Sequence, residues 1–343
     1  MKTTKFLFAL LLTFGTITIS CDTDDSDRGP GMSDDDGGTD DMGGGEEDPL
    51  SLLFTTQTEE DQIGQFASNA MVEYDGSVWV VGGHVGFGPP YFTTTSQVWR
   101  SENGANWLSV STNQFPARTG HTLNVIDGKM IMIGGINLDA GEDYGDIWSS
   151  TDGLTWTLES ASAIFGNVYH HTVTAFNGRW YLTFGSNVYS SNNGIDWVFE
   201  ATTGFAAANY QKTVILNDTL YVLGGHTSST IPVNEVWKTT DGTTWEEVTL
   251  AGDIFNPRIN HTLTAYEDKA FLIGGRAGTT IFRDIYYSED MENWTQVELE
   301  EDEDGTSDGL YAHNVLNYRG ALWIFGGYNS TQASSEILSI TIE

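Results

Sequence analysis

With 343 residues, 48 of them acidic and 14 basic, the chain carries a net charge of −34. That balance excludes non-specific nucleic-acid binding and adhesion to anionic lipid as leading functions, since both require clustered Lys and Arg. The 39 glycines, 11 tryptophans and only 18% charged residues suit an all-β protein, and the length fits a repeat architecture folded as one domain.

Residues 1–20 read as a secretory signal: Lys2 and Lys5, an apolar run from Phe6 to Phe14, then small and β-branched residues to Ser20. The apolar run is too short to stay in a bilayer as a spanning helix. Thr18-Ile19-Ser20-Cys21 resembles a bacterial lipobox, with Thr18 in place of the more usual Leu. The resemblance implies that Cys21, the sole cysteine, becomes a lipid-modified N-terminus, anchored by acyl chains that contribute roughly 0.8 kcal/mol per buried CH₂. Residues 21–49 then form an acidic linker with twelve acids, one base (Arg28) and no aromatic residue, too polar to offset its ordering entropy. An acidic run behind a lipobox cysteine also resembles the export signal of surface lipoproteins in Bacteroidetes, which implies an outer-membrane, cell-surface location.

From residue 50 to 343 the chain repeats. The residue fourteen places before the second glycine of each glycine pair is Asn69, His121, His171, Gln211, His261 and His313, and those glycines are Gly83, Gly135, Gly185, Gly225, Gly275 and Gly327. Offsets of 52, 50, 40, 50 and 52 residues define six copies of one unit. In each copy a short β-rich run meets an Asx-Gly turn such as Asp127-Gly128, and a continuous apolar run such as Met130–Ile133 follows, marking a strand buried on both faces. A third strand and a fixed turn come next, since Trp99/Trp107, Trp148/Trp156, Tyr189/Trp197, Trp237/Trp245 and Tyr286/Trp294 are all eight apart. Four strands in each of six units predict a six-bladed β-propeller of four-stranded antiparallel blades. The sixth copy stops without the turn or its Trp, so Leu50–Gln57 is expected to supply the missing strand and close the ring.

The order Pro-x-Arg-x-x-His, apolar strand, Gly-Gly, variable loop, aromatic, Trp resembles kelch repeats, best in Arg118/His121 and Pro257-Arg258/His261, over residues 67–343. The third copy departs from it with Phe184-Gly185, and the fourth and first place Gln211 and Asn69 where the histidine belongs. The resemblance implies a galactose-oxidase-like propeller. Its copper cofactor needs a cysteine-linked tyrosine, and the only cysteine is committed to the anchor, so no radical copper site is expected. Ser150-Thr-Asp152-Gly153-Leu-Thr-Trp156 is similar to the Asp-box of sialidases, a structural turn there, and no arginine triad accompanies it. Calcium at the acidic run from Glu300 to Asp308 lacks proper ligand spacing and is unsupported, so no cofactor is expected.

The repeated histidines are read as blade-junction residues bonding backbone, because ring symmetry spreads them instead of converging them on a metal. Function is expected where the copies differ, in the rim loops. Candidate ligand contacts are His84, Tyr91, Phe92, Arg118, Tyr144, Tyr169, Tyr210, His226, Arg258, Arg276 and Tyr328. These residue types suit a non-catalytic binding or scaffold module for a protein or glycan ligand. The alternative is a carbohydrate-processing enzyme, similar to a sialic-acid mutarotase or epimerase, drawing acid/base groups from Glu142, Asp143, His84, His226 and Arg276.

Overall fold

The structure, a computed structural model, describes residues 50–58, 63–86, 92–299 and 309–342. The signal segment, Cys21, the acidic linker, Tyr91 and the 300–308 run lie outside the described residues. Among the described residues every regular element is a strand. In the first copy the order is Ala70–Tyr74, Ser77–Val81, Val98–Ser101 and Leu108–Ser111, each strand antiparallel to the next. Copies two to five repeat this meander, starting from Thr122–Ile126, Thr172–Phe176, Lys212–Leu216 and Thr262–Tyr266. In the fifth, Ala251–Gly252 adds a short parallel pairing to Asn293–Gln296. The sixth sheet runs Asn314–Tyr318, Ala321–Phe325, Ile337–Ile342, and its fourth strand is Leu52–Thr58, with Leu52 opposite Ile342 and Thr58 opposite Ile337.

Local chemistry explains the hairpins. Asp75-Gly76, Asp127-Gly128 and Asn177-Gly178 hold positive φ at both positions, as two-residue turns between right-twisted strands demand. The second strand of each copy is sealed on both faces, and Ser77–Val81 is buried at every position. The first strands are neighbours in cyclic order through all six copies, the last (Asn314–Tyr318) lying against the first (Ala70–Tyr74). The core therefore sits between successive sheets. One layer joins Val78 and Val80 of the first copy to Tyr318, Trp323 and Phe325 of the sixth.

Four interlayers are each keyed by a phenylalanine from the connection between copies. Phe115, Phe165, Phe205 and Phe255 lie edge-on to Trp156, Trp197, Trp245 and Trp294 at centroid distances of 5.3, 6.0, 5.1 and 5.1 Å. All four are buried, so these aromatics of the inter-copy connections pack the core. The turn between the paired aromatics is self-capped. Ser150 Oγ accepts from Gly153 N–H at 2.8 Å, Asp152 Oδ1 accepts from Leu154 and Thr155 N–H at 2.9 and 2.8 Å, and the same bonds recur at Ser101, Ser191, Thr239 and Ser288. Gly153 has φ +69° and a Cβ there would strike the Trp79 ring of the preceding copy, so the turn is also a blade contact.

Candidate functional site

The glycine pairs and the repeated histidines form one joint. The first glycine of a pair faces the histidine of the next copy: a Cβ on Gly82 would lie 2.7 Å from His121 Cε1, and one on Gly224 2.7 Å from His261 Cε1. The second glycine lies against the residue at that position in its own copy, as Gly275 does against His261 Cβ. Where the next copy has Gln211 in place of histidine, the preceding glycine is replaced by Phe184. The two departures from the repeat fall at the same joint. His171 Nε2 and His313 Nε2 bond the hydroxyls of Thr122 and Thr262 at 3.1 and 3.0 Å. His121 and His261 lie by the carbonyls of Val81 and Arg258, with poorer geometry. Burial pushes His121, His171 and His313 down to about 3, and His261 well below its ordinary value. All four are neutral struts at neutral pH. Among the described residues no three His, Cys, Asp or Glu side chains converge to hold a metal.

Arg118 and Arg258, expected among the ligand contacts, are placed elsewhere. Both side chains have zero exposure. Arg118 forks onto Asp146 at 2.6 and 2.9 Å and donates to the Gly134 carbonyl at 2.8 Å; Arg258 does the same with Asp284 (2.5 and 2.9 Å) and Gly274 (2.9 Å). Tyr144 covers the Arg118 guanidinium at 4.4 Å from its ring centre, as Phe282 covers Arg258 at 4.1 Å. A guanidinium with both faces and its fork occupied has nothing to offer a ligand. Asp146 and Asp284 had a signal in the repeat: the residue two before the third-strand aromatic is Gln97, Asp146, Asn187, Glu235 or Asp284, polar in five copies.

The remaining candidates divide. Tyr328 is buried, its ring packs with Tyr311 at 5.5 Å, and burial pushes its hydroxyl up to about 12. His84 is buried as well, held near 4 by desolvation. The backbone of Phe92 lies in the short strand Phe92–Thr94. Tyr169, Tyr210, His226 and Arg276 are half-buried, and of the four Tyr210 lines the end of the channel where the first strands begin. His170, which sequence reasoning left out of the site, joins them: its ring stacks on Tyr210 at 3.9 Å, Tyr210 lies 5.1 Å from His226, and Tyr169 is edge-on to His170 at 5.8 Å. The Arg276 guanidinium sits 5.0 Å over Tyr311.

One repeated position builds this mouth. The residue immediately before the repeated-histidine position (Asn69 and Gln211 in two copies) is Ser68, Gly120, His170, Tyr210, Asn260 or Ala312, and all six have positive φ, between 51° and 64°. Their backbones pass hydrogen bonds round the ring. Gly120 N–H donates to Ser68, His170 to Gly120, Tyr210 to His170, Ala312 to Asn260 and Ser68 to Ala312, at 2.7–3.4 Å. Five non-glycine residues held in this sparsely populated region mark a built feature, since such strain persists only where the surroundings impose it. They frame a cavity of about 250 Å³ on the first strands, lined from all six copies. None of its lining residues is Asp or Glu, and its one cation is Lys212.

Residues 197–343 match a family model described as the KLHDC2/KLHL20/DRC7 Kelch-repeats domain. Among solved structures, one titled "Structure of YjhT" superposes with a TM-score of 0.68 at 14% identity, covering 83% of this chain and 99% of that one. No curated protein matches the chain. Residues 197–343 are thus similar to kelch repeats, and the chain shares the fold of that solved structure.

Proposed function

We propose that residues 50–343 form a six-bladed kelch-type propeller, closed by the strand Leu52–Thr58, that acts as a non-catalytic binding module for a protein or glycan ligand. The cyclic order of the first strands and the hydrogen bonds around the mouth support the ring. The observation that carries the binding reading is the mouth itself: His170 stacked on Tyr210, with His226 tilted beside Tyr210, and no carboxylate in the cavity wall. Aromatic faces supply contact area at low entropic cost, which suits recognition. The test is a binding screen of the purified protein against glycans and against envelope proteins cross-linked in cells. Tyr210→Ala is expected to weaken a captured ligand at least tenfold while shifting Tm by less than 3 °C, because the ring packs on the mouth and not in an interlayer. Retained binding would move the ligand site away from the channel.

A second reading, an acid/base enzyme similar to a sialic-acid mutarotase, keeps one observation. His170 is held neutral by burial while burial raises Tyr210, which places a proton acceptor and a proton donor face to face. Anomer exchange of free sugars followed by NMR would establish it, and no exchange above the uncatalysed rate would discard it.

The sequence supports display of this module on the cell surface through lipid on Cys21. In that case Cys21→Ser abolishes metabolic labelling with palmitate and shifts the protein from the membrane to the soluble fraction. Unchanged fractionation with no label on the wild type would discard the anchor.

A further inference from the structure

We infer that the channel is an anion site centred on the Lys212 ammonium and that it takes the carboxylate of a small organic acid. The inference rests on the mouth being the ligand face of the proposed module. At the position after the repeated histidine the six copies read Ala70, Thr122, Thr172, Lys212, Thr262 and Asn314, so a cation replaces small and polar residues once in the ring. Lys212 is half-buried by accessible surface yet enclosed by the channel wall, and that enclosure lowers its pKa by desolvation. Its charge is felt at His170 and His171 of the third copy, His261 of the fifth and His313 of the sixth, which places the ammonium toward the axis.

Nothing in the wall neutralises it. Among the described residues no carboxylate lies within ion-pair distance of Lys212, in a chain with 48 acids. The surrounding histidines are neutral, so they neither compete with the ammonium nor repel it at neutral pH. The same wall holds donors without acceptors. Asn69 is 6% exposed and its Nδ2 has no partner, while its Oδ1 accepts from Asn314 Nδ2. Asn124 Nδ2 is likewise buried and unpartnered. An enclosed ammonium with spare amide donors suits an acceptor with two lone-pair-bearing oxygens.

The charge count selects the class. One ammonium balances one monoanion, whereas a phosphate dianion would leave net negative charge enclosed in a chain already at −34. A carboxylate offers the ammonium one oxygen and leaves the other for a donor elsewhere in the wall, which a halide cannot. The aromatic mouth above would then contact the body of the acid.

The experiment titrates the intact protein with acetate, D-glucuronate, uncharged D-glucose and chloride, read by calorimetry and by the ¹⁵N shift of Lys212 Nζ. Acetate and glucuronate are expected to bind and to raise the Lys212 pKa toward its ordinary range; glucose is expected not to bind. Lys212→Thr, which installs the residue of three other copies and should therefore fold, is expected to lose affinity at least tenfold. Binding should also weaken as pH rises through the lowered Lys212 pKa, because only the ammonium form attracts the carboxylate. Carboxylate binding unchanged in Lys212→Thr, no carboxylate binding by the wild type, or chloride binding as well as acetate would each overturn the site. A protein or glycan ligand that depends on Tyr210 but not on Lys212 would overturn the anion site and leave the binding module standing.

Discussion

Replacing Asp146 with Ala is expected to destabilise the propeller by about 3–5 kcal/mol, the range for breaking a buried ion pair from one side. The magnitude follows from what is left behind. The Arg118 guanidinium has zero exposure and cannot turn to water. It is sandwiched between Phe115 and Tyr144, 5.9 and 4.4 Å from their ring centres, and would retain only the carbonyls of Pro116 and Gly134. The indole N–H of Trp148, which donates to Asp146 Oδ2 at 2.7 Å, would lose its acceptor as well. Asp284→Ala should behave alike through Arg258. The surface pair Arg100–Glu102, whose side chains are 38% and 79% exposed, gives the contrast: Glu102→Ala should change stability by less than about 1 kcal/mol. Urea unfolding measures all three. If the loss comes from an orphaned cation, Arg118→Met with Asp146→Leu will be more stable than Asp146→Ala alone. A double variant as damaged as the single, or a loss under 1 kcal/mol for Asp146→Ala, would show that the pair holds nothing together.

That strut also shows where reading the sequence stopped short. Strand order, turn type and copy number follow from short-range spacing: the Asx-Gly hairpins, the glycine pairs and the aromatics eight apart all encode geometry within a few residues of themselves. Arg118 and Asp146 are 28 residues apart, and Arg258 and Asp284 are 26. An arginine in a connection between copies looks like a rim residue until its distant partner is known. The mouth was legible only in part for a related reason. Tyr169, Tyr210, His226 and Arg276 announced themselves as aromatic or charged loop residues, whereas His170 was hidden beside the repeated His171. The positive φ before each repeated histidine leaves no mark in five of the six copies, since only Gly120 is a glycine. Lys212 did have a signal, one charged residue at a position otherwise Ala, Thr or Asn, but it shows only when the copies are aligned on their histidines.

The neutral histidines predict acid unfolding well above the pH at which surface carboxylates titrate. Burial holds His121, His171 and His313 at about 3 and His84 at about 4, with His170 and His261 also well below their ordinary value. Each folded pKa lies under the unfolded value near 6.5. Between the two, the unfolded chain binds one more proton per histidine than the folded one, so stability falls as pH drops below 6.5. Each group contributes a slope of about 1.4 kcal/mol per pH unit, and six together roughly 8. Set against a typical domain stability of about 5–15 kcal/mol, that slope places the unfolding midpoint near pH 5. The repeat itself provides the control, because the first copy places Asn69 at the histidine position next to an intact glycine pair, Gly326-Gly327. His121→Asn should lower the slope by one proton, and His121→Asn, His171→Asn, His261→Asn and His313→Asn together by four, moving the midpoint down by at least one pH unit. Circular dichroism across pH 7–3, with urea titrations at each pH, reads both quantities. Stability that stays level between pH 6.5 and 4.5, or a His121→Asn slope equal to wild type, would mean that these rings protonate without leaving the joint.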